Sequence, residues 1–326
     1  IPAHILNIRQ KGKIKNTYLD KIIPQLDRDN RLRTNFSLHG TTSGRLTSSG
    51  KLNMQQLPRD NSAVKGCIKA SKGHKIVAMD LTTAEVYVAA ILAEDKKLQD
   101  VFRSGGNFHS TIAKVVFKLP CEVEDVAKYY PLKRQAAKAV TFGIMYGAGA
   151  KKISSQVTKD SGTNFSLEEA QKVIDDYFKE FSKLRNWLND KKEEISRKGQ
   201  IYSIFGRKRR LPNVFSSDKG VASHESRSGI NFLVQSAASD INLLGAIDMH
   251  KFIKESGMKS RIFALVHDSI LAEVPEDEVD MYCERLKRFI QKPRAGCHIE
   301  GAPVGCDFDI GEDYSFGKFD KEYGSI

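Results

Sequence analysis

The sequence predicts an α+β fold, a β-platform interrupted by a long helical insertion, and three observations carry that expectation. The apolar run Ile76-Val-Ala-Met-Asp80 reads as a short strand ending in an acid. From Asn107 to Glu255 the pattern is almost wholly helical, broken once between Ile201 and Pro212. Strand character returns at Arg261–Val266 and Ile270–Val274, so strands bracket the helices in chain order. That order fits one platform with an inserted helical subdomain.

Taken in order, residues 1–26 read as a helical, basic lead-in carrying Arg9, Lys11, Lys13 and Lys15 and ending at Pro24. The polar, turn-rich stretch from Arg31 through Gly40, Gly44 and Gly50 predicts short strands and loops. Ala84–Leu92 has a helical pattern, which puts Asp80 near a strand-to-helix junction. Lys133–Tyr146 predicts a helix stopped by Gly147 and Gly149, and Glu168–Phe181 and Leu184–Ile195 predict amphipathic helices. His267-Asp268-Ser269 separates two apolar runs and reads as a tight hairpin with an acid near its tip. A helix over Glu276–Gln291 and a strand over Val304–Ile310 complete the pattern, without internal repeats or low-complexity tracts.

At 326 residues the chain suits about two domains. Its 52 Lys and Arg against 40 Asp and Glu leave a net charge of +12, which favours a polyanionic partner through counterion release. Ribosomal and membrane-surface proteins share that balance, but 40% apolar residues exclude a disordered basic tail. The five cysteines, Cys67, Cys121, Cys283, Cys297 and Cys306, are scattered without CxxC spacing, so reduced thiols in a cytoplasmic compartment are expected. No run reaches the roughly 18 apolar residues of a membrane span, so no membrane partner is expected. The start Ile1-Pro2-Ala3-His4 shows neither a signal peptide nor an initiator Met and reads as part of something longer.

Magnesium takes hard oxygen ligands and holds most of its coordination for water and phosphates. Asp80 and Asp268 each close an apolar strand, and neighbouring strands would bring them together as a metal pair. Taken singly, each acid reads equally as a turn former or helix cap. Arg134, Lys138, Phe142 and Tyr146 come at i, i+4, i+8 and i+12, drifting about 40° per step along one helical stripe. Two cations and two rings so arranged would fit a nucleoside triphosphate, the ring contact contributing about 1–3 kcal/mol. The spacing alone is also that of a solvated amphipathic helix. Gly147-Ala-Gly149 is no dinucleotide fingerprint, since it ends a helix, and no GxxxxGK[ST] occurs. Arg207-Lys-Arg-Arg210 suits nucleic-acid backbone contacts or simple solvation.

Four ordered segments resemble family-A DNA polymerases, the bacterial DNA polymerase I-like group, in wording nearest its bacteriophage branch. They are Thr42-Ser-Gly-Arg45-Leu with Asn53-Met-Gln-Gln56-Leu-Pro58, then Asp80-Leu-Thr-Thr-Ala-Glu85, then Arg134 through Gly147, then Val266-His267-Asp268. The resemblance implies a right-hand architecture with an antiparallel-sheet palm (27–106 and 231–326), helical fingers (107–230) and a thumb remnant (1–26). By position, Asp80, Asp268 and the carbonyl of Leu81 match ligands of two Mg2+ ions. Arg134, Lys138 and His109 match triphosphate contacts, Phe142 the ring on the incoming sugar, Tyr146 the residue by the templating base, and Glu85 the gate against a ribose 2′-hydroxyl. Arg45, Gln55, Gln56, Arg227, Asn231, Gln235 and His267 match contacts to primer and template.

The activity implied by the resemblance is template-directed DNA synthesis, in which a primer 3′-hydroxyl attacks the α-phosphate of a dNTP. Asp80, Asp268, Arg134 and Lys138 would be its catalytic residues. Primer-template DNA and dNTPs are the implied partners, with a separate exonuclease and thumb chain or a processivity factor supplying functions that the resemblance leaves outside this chain. A single-subunit RNA polymerase is the rival enzyme, opposed by Glu85 and Phe142. A non-catalytic primer-template-binding subunit is the rival of another class, opposed by the acid pair. Two positions depart from the pattern: Ser269 stands where many relatives carry a second acid, and Thr141 replaces a frequent Asn.

Overall fold

The computed structural model describes residues 2–49, 53–57, 62–318 and 321. Gly50, in the stretch expected to hold short strands and loops, and Pro58, the end of a family-like segment, lie outside the described residues. The chain opens with helix α1 (Pro2–Ile14), a helical continuation over Lys15–Leu19, and α2 (Asp20–Ile22). Strands β1 (Asn35–Ser37) and β2 (Thr47–Ser49), helix α3 (Ser62–Gly66) and strand β3 (His74–Thr82) come after it. Eight helices are next: α4 (Ala84–Leu92), α5 (Lys96–Arg103), α6 (Phe108–Phe117), α7 (Val123–Tyr129), α8 (Pro131–Met145), α9 (Ala150–Ser161), α10 (Leu167–Glu180) and α11 (Ser182–Lys198). The expected break is a hairpin of β4 (Gln200–Tyr202) and β5 (Lys208–Arg210), after which come α12 (Lys219–Ser256), β6 (Arg261–Val266), β7 (Ser269–Pro275), α13 (Val279–Gln291) and β8 (Gly305–Gly311).

These elements form two compact units, Ile1–Thr82 with Ser239–Lys292 and Cys306–Ile326, and Thr83–Ala238 with Pro293–Gly305. The first is built on a four-stranded sheet in the order β6-β7-β3-β8. β3 is antiparallel to β7 and β7 to β6. Ile76, Val77, Ala78 and Met79 are buried in succession, so the centre of β3 is covered on both faces and reads as a continuous apolar run rather than an alternation. Asp80 was expected at the strand's end, but β3 extends to Thr82. The reason is pairing: the ladder continues through Asp80 opposite Ser269, and the Leu81 amide donates to the Asp268 carbonyl at 3.2 Å. On α13, Tyr282, Leu286 and Ile290 are buried, and a Cβ at Gly245 of α12 would stand 2.4 Å from the Ile290 side chain.

In the second unit α4 buries Ala84 through Ala90, and the buried Tyr87 hydroxyl donates to the Ala302 carbonyl and accepts from the Ile299 amide, both at 2.8 Å. Asp95 is a buried acid bonded to backbone. One of its oxygens caps α5 at the Leu98 amide (3.1 Å) and the other accepts from the Leu184 amide (3.0 Å), so two donors offset the desolvation of the carboxylate. α8 buries Ala136, Ala137, Val140, Thr141, Ile144 and Met145, so its core stripe leaves Arg134, Lys138 and Phe142 off the buried face. Among the described residues no helix is long and apolar enough to cross a membrane.

Candidate active site

The first unit holds the acid pair. Val266 pairs with Ser269 across a two-residue loop, with His267 in the left-handed region at φ 55°. Asp268 therefore sits in the loop, and Asp80 lies on the adjoining strand opposite the next residue, Ser269. Each acid already has a donor. The Arg45 guanidinium is 2.7 Å from Asp268 Oδ1, and the Ser269 hydroxyl donates to Asp80 Oδ1. The Tyr314 hydroxyl is pushed up to about 12 by its burial and, secondarily, by the charge of Asp80, so it stays a neutral phenol near that acid.

This donor set fits a hard divalent cation: two carboxylates with the carbonyl of Leu81 next in chain, and a guanidinium occupying the electrostatic role of a cation at Asp268. Among the described residues no cluster of three or more His, Cys, Asp or Glu is arranged to hold a metal. A cation here would thus draw its remaining ligands from water and substrate, which is the habit of magnesium.

The second unit holds the cationic stripe. Asn107 caps α6, its Oδ1 accepting from the Ser110 amide at 3.1 Å and from the Arg134 guanidinium at 3.2 Å, while Arg134 Nε donates to Ser110 Oγ at 3.2 Å. Arg134 is thereby fastened to the N-terminal end of α6, whose dipole favours an anion. His109 belongs to the same turn. Its ring packs on Phe142 with centroids 5.3 Å apart, and among the described residues its buried Nδ1 has no hydrogen-bond partner. Burial first, then the charges of Lys138 and Arg134, hold its pKa down at about 4, so His109 is neutral at physiological pH. Two cations, a neutral imidazole with an idle buried nitrogen and a helix N-terminus make a receptive site for phosphate oxygens.

Tyr146 lies just past the end of α8, and its hydroxyl donates to Glu85 Oε2 at 2.7 Å. Glu85 is buried, so the bond offsets part of the cost of taking its carboxylate out of water. Gly147, at φ 65°, comes next with its backbone against the aliphatic stem of Arg227. Thr141, a departure in sequence from the family pattern, is fully buried and donates to the Ala137 carbonyl at 2.7 Å. It belongs to the packing of α8 rather than to the exposed stripe.

The expected DNA contacts divide. Gln55 is engaged internally: its side-chain amide donates to the Leu46 and Leu265 carbonyls (3.1 and 2.9 Å) and its oxygen accepts from the Ser48 amide (2.9 Å). Gln56 and His267 are exposed, and Arg227 and Gln235 are half-buried on α12. Asn231, on the same helix, keeps a buried Oδ1 without a hydrogen-bond partner among the described residues. Sequence reasoning missed Asn107 and Ser110 as anchors of Arg134, although an Asn before a helical run is a legible cap. It also gave Ser269 and Tyr314 no part beside Asp80.

Comparison with known proteins defines the class. The chain superposes on the POL domain of Pol1 from M. smegmatis, solved in complex with a DNA primer-template and dNTP, with a TM-score of 0.84 and 26% identity over 96% of this chain and 53% of that one. It is 47% identical to the DNA polymerase of Escherichia phage T5 across 100% of this chain and 41% of that protein. It is 32% identical to the thermostable DNA polymerase I of Thermus aquaticus across 96% of this chain and 36% of that protein. Residues 1–315 match DNA polymerase family A, and the chain belongs to that family. It spans well under two thirds of the length of these curated relatives.

Proposed function

We propose that the chain carries out template-directed DNA synthesis, transferring a nucleotidyl group from a dNTP to a primer 3′-hydroxyl with release of pyrophosphate. The observation that carries the reading is the strand pairing that sets Asp80 opposite Ser269, beside Asp268, on neighbouring strands of one sheet. In this reading Asp80, Asp268 and the Leu81 carbonyl would hold two magnesium ions. When bound, such ions supply charge neutralisation at the reacting phosphate and a more acidic attacking hydroxyl.

Arg134, Lys138 and His109 bind the triphosphate, His109 as a neutral donor, and Phe142 carries the sugar. Glu85, anchored by Tyr146, excludes a 2′-hydroxyl, and Tyr146 lies by the templating base. Arg45, Gln56, Arg227, Asn231, Gln235 and His267 hold primer and template. Gln55, whose amide is occupied within the fold, serves by holding the Arg45 loop rather than by touching DNA. The palm of 27–106 and 231–326, the fingers of 107–230, the thumb residues of 1–26, a cytoplasmic site of action and a processivity partner belong to the same reading.

Asp80→Ala and Asp268→Ala should each retain primer-template binding in a mobility-shift assay and lose magnesium-dependent extension. Extension surviving in either variant would overturn the metal assignment. Incorporation of dNTPs over NTPs by the parent chain separates this reading from RNA synthesis.

A further inference from the structure

We propose that Ser269 is a positioning residue for the carboxylate of Asp80, orienting it through a neutral hydroxyl from the directly opposed strand position. The proposal rests on the reading of Asp80 as a metal ligand. Asp80 and Ser269 are opposed in an antiparallel ladder, which brings their Cβ atoms to within about 5.5 Å. The Ser269 hydroxyl donates to Asp80 Oδ1, fixing the rotation of the carboxylate and leaving Oδ2 to a ligand. Backbone bonds frame the contact: the two-residue loop closes on the Val266–Ser269 pair, and the Leu81 amide ties β3 to the Asp268 carbonyl at 3.2 Å.

The type of side chain matters. An acid at 269 would set a like charge directly across from Asp80, whereas a hydroxyl leaves the net charge of the pair untouched and adds a donor. The two acids are therefore oriented independently, Asp268 by the cationic Arg45 and Asp80 by the neutral Ser269. Outer donors of this kind, when removed, typically weaken metal binding by about 10- to 100-fold.

The test is Mn2+ binding to the full chain on a primer-template with a dideoxy-terminated primer, read by the electron paramagnetic resonance signal of free Mn2+, so that no turnover is needed. Ser269→Ala should weaken Mn2+ binding by about tenfold, with primer-template affinity and the thermal midpoint unchanged. Ser269→Thr, which restores the hydroxyl, should return to within about twofold of the parent. Should the alanine variant fold poorly, Ser269→Cys, of similar size and with a weaker donor, should fall between alanine and parent. Parent-like Mn2+ binding by the alanine or cysteine variant, or a threonine variant as weak as alanine, overturns the proposal. Asp80→Ala separates the two levels: if it binds Mn2+ like the parent, the metal assignment fails and the proposal with it. If it loses Mn2+ while Ser269→Ala does not, the role of Ser269 alone is wrong.

Discussion

The guanidinium of Arg45 stands 2.7 Å from Asp268 Oδ1, a pairing across 223 residues of sequence that sets a residue expected to touch primer DNA against an acid expected to bind metal. Both side chains are partly exposed, at 19% and 33%, so the pair is worth about 1 kcal/mol rather than a buried-bridge value. A cation approaching Asp268 competes with that guanidinium. Arg45→Ala should therefore tighten Mn2+ binding to the DNA-free chain by about fivefold, the equivalent of about 1 kcal/mol, while weakening primer-template binding. Unchanged Mn2+ affinity in a DNA-free titration would show that the pair does not hold the acid against metal.

The buried carboxylate of Glu85 accepts a 2.7 Å hydrogen bond from the Tyr146 hydroxyl. Glu85→Ala removes both bulk and charge from the proposed sugar gate, so incorporation of NTPs relative to dNTPs should rise by at least about tenfold, or about 1.4 kcal/mol of discrimination. Tyr146→Phe keeps the bulk of Glu85 and should raise the ratio less. Single-nucleotide insertion rates measure both, and equal ratios in parent and Glu85→Ala would remove the gate from this residue.

His109 titrates at about 4 in the folded chain against an ordinary value of 6.5. Between those values the unfolded chain binds a proton that the folded chain does not. Stability from this site is therefore whole above about pH 6.5 and falls as the pH drops toward 4, by up to about 3 kcal/mol. His109→Gln, which cannot titrate, should lose less of its thermal midpoint between pH 7 and pH 4.5 than the parent does. Parallel losses in the two proteins would place the acid sensitivity elsewhere.

Much of the fold and site is legible locally. Ile76–Met79, buried in the sheet, form a continuous apolar run, the flanking runs expose the loop at His267-Asp268, and the fourfold spacing of Arg134, Lys138 and Phe142 marks the face that α8 leaves outside its core. The hidden part depends on pairings far apart in sequence. The bond from Ser269 to Asp80 joins residues 189 apart and is set by strand register. Gln55 looks like a DNA contact by position, and only its bond to the Leu265 carbonyl, 210 residues on, shows the amide occupied. Periodicity reports which face a residue takes, but not which partner meets it there.

Gly147 stops α8, and two separate constraints hold it as glycine. Its backbone is left-handed at φ 65°, and a Cβ there would lie 2.2 Å from Arg227 Cδ and 2.6 Å from Cγ. The first constraint costs a side chain about 1–2 kcal/mol wherever it occurs, whereas the second depends on the Arg227 stem staying in place. Gly147→Ala should thus lower the denaturant midpoint by the equivalent of about 2 kcal/mol and weaken primer-template binding by displacing Arg227. In an Arg227→Ala background the same substitution should cost about 1 kcal/mol and leave DNA affinity unmoved, because only the backbone strain remains. Identical costs in the two backgrounds, measured by urea denaturation, would show that the stem of Arg227 yields freely and that glycine is held here by its dihedral alone.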